Sequence, residues 1–113
     1  LNAAAVAKAK NIMKHRFPTM IEYYLEDTQS YIDQIRRGLD EGSYAQLVVP
    51  SHTIKSSSRQ MGAYAVAELG QKIEAMARAE EVSFETLSEL TNKLQEQFDL
   101  SRIDFNHLLS EAG

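Results

Sequence analysis

The sequence predicts an all-α fold: an antiparallel four-helix bundle with an additional short N-terminal helix. Three observations carry that expectation. Apolar residues recur at alternating spacings of three and four through four separate stretches, the period of helices with one face in a core. Only 2 prolines and 5 glycines occur in 113 residues, too few to divide the chain into many short elements. Nothing alternates with the period of two that a half-buried strand requires, and the Val48-Val49 run is too short to count.

The opening stretch, 2–14, is rich in alanine and carries Lys8, Lys10 and Lys14, with Asn2 placed to cap it. Only Val6, Ala9 or Lys10, and Met13 fall at core spacing, so this short helix is expected to lay a thin apolar face against the end of the bundle. Arg16-Phe17-Pro18 breaks the pattern. Pro18 suits the first residue of the next helix and pushes Phe17 toward an extended conformation. The second helix has the clearest stripe: Ile21, Tyr24, Thr28, Tyr31 or Ile32, Ile35 and Leu39. Glu22, Glu26 and Asp27 lie early and Arg36-Arg37 late, the order that suits the helix dipole. Gly38 weakens its last turn, and Glu41-Gly42 ends it.

Ser43 and Gln46 have the spacing of a capping box for the third helix. Pro50, seven residues beyond that cap, lacks an amide proton and clashes with the preceding turn. The expectation is a bend or local break one turn before His52, or else a helix that starts at Pro50 and leaves 44–48 as a separate turn. Gly62-Ala63 marks a turn into a fourth helix with Val66, Leu69, Ile73 and Met76 inward and Gly70 allowing close approach of a neighbour. The next connection is Ala79-Glu80-Glu81-Val82, with Ser83 as cap, and Leu87, Leu90, Leu94 and Phe98 form the stripe of the fifth helix. Beyond it, Leu100, Ile103, Phe105, Leu108 and Leu109 slip out of phase. Continuation or a mild kink is favoured over a stop near Asp99 followed by a sixth helix.

Composition bounds the function. A chain of 113 residues has room for one core, expected here as one domain over 1–113, and its opening on Leu1 suggests a piece of a larger protein. No run approaches the ~18 apolar residues of a membrane span, and no signal-peptide pattern opens the chain. No direct membrane insertion by this stretch is therefore expected. The absence of cysteine excludes disulfides and thiolate chemistry. His15, His52 and His107 lack local metal-ligand spacing, so neither a metal site nor a bound cofactor is expected. The formal charge of −4 disfavours a non-specific nucleic-acid binder, leaving room only for a local basic patch, and no nucleic-acid partner is expected. No converging carboxylate pair or nucleophile triad suggests an independent hydrolytic or redox enzyme.

One stretch resists a purely structural reading. On a helix, Leu47, Ser51, Ile54, Ser58 and Met61 form one narrow stripe, while His52 lies well off it and Lys55 and Arg59 follow one and two turns on. An imidazole flanked by cations suits a group that must meet a dianion. His52-x-x-Lys55-Ser56-Ser57-Ser58, followed by Gly62-Ala63 and the Leu69 to Ile73 apolar spacing, resembles the histidine-containing phosphotransfer (HPt) domain family, whose pattern reads His-x-x-Lys-Gly-Ser-Ser with a glycine near the helix end. The likeness extends in length and helix order over most of 1–110. Ser56 stands where the family usually has glycine, and its extra hydroxymethyl bears on how a partner approaches the ring.

The resemblance implies a phosphorelay carrier in the cytoplasm, from a parent protein with or without a membrane anchor. His52 would accept a phosphoryl group from a receiver-domain aspartate through its distal ring nitrogen and pass it to another. A response-regulator receiver domain is the expected partner, with a sensor histidine kinase as a second. The carrier would be a covalent phosphohistidine intermediate with no kinase activity of its own, the metal and its acidic ligands belonging to the partner. An imidazole ordinarily titrates near roughly pH 6.5, so it is largely neutral and nucleophilic at pH 7. Lys55 would steady the phosphoryl oxygens, and Arg59 would help steer an acidic receiver face. Glu74 stands where some family members hold the proximal ring nitrogen with a polar side chain, although its charge would also repel a phosphoryl group. Arg78, His15 and His107 read as solvated or structural, and Ser57 and Ser58 as small packing residues. Two other readings compete: a non-catalytic HPt-like adaptor that binds receiver or kinase domains, and a structural helical bundle that dimerises through Leu100, Ile103 and Leu109.

Overall fold

The computed structural model describes residues 1–79 and 83–112. The helices are α1 (Ala3–Met13), α2 (Phe17–Asp40), α3 (Val48–Met61), α4 (Tyr64–Ala79) and α5 (Phe84–Ala112), with one-turn 3-10 helices at Lys14–Arg16 and Tyr44–Leu47. Among the described residues there is no strand. Helices α2 to α5 form a four-cornered bundle in which α2 lies beside α3 and α5 and α4 beside α3 and α5, while among the described residues the diagonal pairs do not bring their backbones close. The all-α bundle with a short leading helix is as the sequence predicts.

Asn2 caps α1: its Oδ1 accepts the Ala5 N–H at 2.9 Å, while its own N–H donates to the Gly62 carbonyl at 2.8 Å. The second bond docks α1 where α3 turns into α4, and Val6, Ala9 and Met13 pack on the core from there. Phe17 departs from expectation. It is helical (φ −58°, ψ −45°) and buried, the first residue of α2. Pro18 thus occupies the second helical position, where its missing N–H has no intrahelical acceptor to lose, and burial of the Phe17 ring outweighs the local preference of a pre-proline residue.

The α2 stripe is buried as read, with Ile32 rather than Tyr31 in the centre. Gly38 does more than weaken the last turn: a Cβ there would lie 2.6 Å from Leu47 Cδ1 and 3.2 Å from the Ser43 carbonyl, so the glycine lets the following turn fold back onto α2. Both α2 and α3 end on a left-handed glycine, Gly42 (φ 67°) and Gly62 (φ 84°). Each has the paired closing bonds of a Schellman motif: Ser43 N–H to Gly38 O and Gly42 N–H to Leu39 O, then Ala63 N–H to Ser58 O and Gly62 N–H to Arg59 O.

The capping box does not form. Ser43 makes no side-chain cap, and Gln46 instead donates to Glu41 Oε2 at 3.0 Å. The chain prefers a 3-10 turn here because that turn drives Leu47 fully into the core against Gly38. The irregularity expected before His52 is the junction of this turn with α3. Pro50 is the third residue of α3, again among the amides that need no helical acceptor, so the helix starts two residues before it.

In α4 the inward face is Val66, Ala67, Gly70, Ile73, Glu74 and Ala77, with Leu69 and Met76 half-buried at its edge. The connection read at 79–82 falls, apart from Ala79, outside the described residues. Ser83 Oγ accepts the Thr86 N–H at 3.4 Å, as expected of a cap. Helix α5 is continuous through Asp99. Its core line runs Leu87, Thr91, Leu94, Phe98 and Phe105, which leaves Leu100 and Ile103 more than half exposed. At the centre, the Tyr24 ring meets Phe98 and Phe105 edge-on at 6.2 and 5.3 Å, and its hydroxyl pairs with Ser58 Oγ at 2.7 Å. Burial pushes the Tyr24 phenol up to about 12, against the pull of hydrogen bonds with Ser58 and Thr28.

Candidate functional site

The site forms where α4 presses on the flank of α3. A Cβ at Gly70 would sit 3.1 Å from the Ser51 carbonyl and 3.2 Å from the Lys55 amide, so only a glycine leaves the two backbones this close without displacement. One helical turn beyond Gly70, Glu74 consequently arrives against His52 and Lys55. Ser51, beside His52 in the chain, is buried and satisfies its hydroxyl on the Leu47 carbonyl. That leaves the His52 ring directed away from the core.

Three side chains converge on Glu74. His52 Nδ1 lies 3.0 Å from Oε2, Lys55 Nζ lies 2.8 Å from Oε1, and Arg78 places Nε and Nη2 at 3.0 and 2.9 Å from Oε2. Glu74 is 8% exposed, Lys55 20%, and the His52 side chain 52%. Burial pushes the Glu74 carboxyl up, but the hydrogen bonds from Lys55, Arg78 and His52, with the charge of Lys55, outweigh it and bring the pKa down to about 2. The carboxylate is therefore ionised at neutral pH and has no proton to give. The hydrogen between it and the imidazole must sit on His52 Nδ1, and in the neutral ring this leaves the lone pair on Nε2. Nε2 has no hydrogen-bond partner among the described residues, and half of the side chain is open to solvent.

The same balance predicts an acid dependence of stability. Glu74 has a lower pKa folded than its ordinary 4.5, so its stabilisation is complete above pH 4.5 and is lost as pH falls toward about 2. The full loss is on the order of 3 kcal/mol or less. Urea unfolding across this window is expected to show a steeper decline in the native chain than in Glu74→Gln. Equal slopes would mean that the three donors do not hold the carboxylate.

Of the five residues singled out from sequence, the structure brings together His52, Lys55 and Glu74. Arg59 turns away, donating from Nη2 to Gln71 Oε1 at 2.6 Å, and Ser56 is exposed with no side-chain bond to the group. Ser57 bonds back to the Thr53 carbonyl, and Ser58 is buried against Tyr24. Sequence reasoning passed over Arg78, set aside as solvated. Its signal was present in the spacing of four from Glu74, which puts a carboxylate and a guanidinium on one helix face.

The surface around His52 is open. Among the described residues, surface concavities of about 380, 520 and 650 Å³ lie elsewhere, and none of these is lined by His52. The roomiest of these sits between α1 and the end of α3, over Met13, Met20 and Met61. Val49, one turn before His52, is 71% exposed. Among the described residues no group of acidic or histidine side chains is arranged to hold a metal ion, and no helix is long and apolar enough to cross a membrane.

Comparison with known proteins bears on the family. No curated protein matches the sequence. The crystal structure of histidine-containing phosphotransfer protein B (HptB) from Pseudomonas aeruginosa PAO1 is similar with a TM-score of 0.93, covering 98% of this chain and 95% of that one. At 22% identity this is a likeness of fold. The model of the Hpt domain matches residues 19–99. That stretch runs from the first turn of α2 into α5 and takes in His52, Lys55, Glu74 and Arg78. By that match, which spans well over half of its length, the chain belongs to the Hpt domain family of phosphorelay carriers.

Proposed function

We propose that the chain carries a phosphoryl group on His52 Nε2, taking it from the aspartyl phosphate of a receiver domain and passing it to another. The observation that supports this most directly is the Glu74 carboxylate on Nδ1, which directs the free lone pair of a solvent-facing imidazole to its outer nitrogen. In the transfer, Nε2 attacks phosphorus and the N–P bond forms as the O–P bond to the partner's aspartate breaks, the electron pair leaving with that carboxylate. The ring becomes a phospho-imidazolium whose Nδ1–H still faces Glu74. The reverse step regenerates the acyl phosphate.

Lys55 and Arg78 together offset the charge of Glu74 and leave one net positive charge beside the arriving dianion. Lys55 is the nearer candidate for the phosphoryl oxygens, being on the same helix one turn from His52. The open flank and exposed Val49 suit a protein partner better than a small molecule held in a pocket. Receiver and kinase domains are the general partners of the family, and we place the exchange in the cytoplasm. Incubation with a phosphorylated receiver domain tests the proposal: the label is expected to move to this chain in a form stable to base and labile to acid. A complex that forms without transfer would favour an adaptor.

A further inference from the structure

We propose that Arg78 is a positioning residue for this transfer, acting through Glu74 to keep the resting His52 ring neutral with its lone pair on Nε2. The inference rests on the reading of His52 as the phosphoryl acceptor and adds a residue that the sequence pattern does not assign. The geometry is unusual in one respect: a single oxygen, Glu74 Oε2, receives both N–H groups of Arg78 and the N–H of His52. The other oxygen faces Lys55.

A carboxylate beside an imidazole normally favours the imidazolium, because the ion pair gains more than the neutral hydrogen bond. An imidazolium carries protons on both nitrogens and has no lone pair for phosphorus. A buried Glu74 alone would therefore position the ring and at the same time quench it. Arg78 separates the two effects. Its guanidinium occupies the oxygen that His52 uses, so the carboxylate remains an acceptor that orients the ring but attracts a second ring proton less strongly. Once the phosphoryl group is on Nε2 the ring is cationic, and the Nδ1–H to Glu74 bond is then charge-assisted at the stage where it stabilises the product.

The charged side chains in this group are Lys55 from α3 and Glu74 and Arg78 from α4. Among the described residues, α1, α2 and α5 contribute no ion pair or side-chain hydrogen bond to it, and Arg59 is held by Gln71. Arg78 is 58% exposed, so its replacement leaves no unfilled core space.

The test compares the native chain with Arg78→Gln and Arg78→Lys by following the His52 ring resonances in NMR against pH, alongside the pH profile of labelling by phosphoramidate. Arg78→Gln is expected to move both midpoints up by about half to one pH unit, equivalent to a three- to tenfold loss of acceptor at pH values well below the midpoint, recovering at higher pH. Arg78→Lys, which keeps the charge, is expected to stay near the native midpoint. An unshifted ring titration in Arg78→Gln, or a labelling loss uniform across pH, would overturn the role of Arg78. A shifted ring titration in a chain that is never labelled on His52 would instead sustain the electrostatic coupling and defeat the phosphoryl-acceptor reading.

Discussion

His52→Gln is expected to abolish phosphoryl acceptance while leaving the fold intact. Glutamine is similar in length and keeps an N–H that can face the Glu74 carboxylate, so the buried ion group retains a donor in that direction. It has no basic lone pair, because the amide nitrogen is conjugated with its carbonyl. The imidazole is half exposed and contributes little to the core, so unfolding free energy is expected to change by about 0.5 kcal/mol or less. Transfer of label from a phosphorylated receiver domain, read beside a urea unfolding curve, separates loss of chemistry from loss of structure. Label that persists in the variant would remove His52 from the mechanism.

The largest expected effect on stability is from Phe98→Ala. The Phe98 ring is fully buried, meets Tyr24 edge-on and carries the Arg102 guanidinium over its face at 4.9 Å from the ring centre. Truncation removes the transfer energy of the ring and leaves a cavity between α2 and α5, at a cost of about 3–5 kcal/mol. Against a typical total of about 5–15 kcal/mol, that is enough to unfold much of the population under mild denaturation. Denaturant unfolding measures it, and a loss under about 1 kcal/mol would mean that the ring does not fill the centre of the bundle.

The fold was legible where one force dominated. Ile21, Tyr24, Thr28, Ile35 and Leu39 have a single strong period, and the structure buries all five. The narrow stripe Leu47, Ser51, Ile54, Ser58 and Met61 is buried as well, and this places His52 on the outer flank of α3. Misreadings arose where local preference met a tertiary contact. Phe17 is helical because its ring is buried, and Ser43 gives up a cap because Leu47 must reach Gly38. The phase slip after Phe98 arises because Leu100 and Ile103 lie on the solvent side of a continuous α5, where apolar residues give no inward signal.

Within the site, the His52 and Lys55 spacing was readable because both lie on one helix, and Glu74 was reachable only by analogy because its position depends on how α4 packs. Gly70 governs that packing. Its effect could not be read locally, since nothing in the chain around it shows which backbone it will face. Arg78 was obscured for a different reason: a charged residue spaced four from a glutamate is usually a solvated surface pair, and only burial of the glutamate makes it consequential.

The most direct measurement is the position of the phosphoryl group on the ring, read from nitrogen–phosphorus couplings in NMR of the chain labelled by a phosphorylated receiver. With Glu74 occupying Nδ1, the phosphate is expected on Nε2 of His52. Phosphate on Nδ1, or on any residue other than His52, would contradict the account.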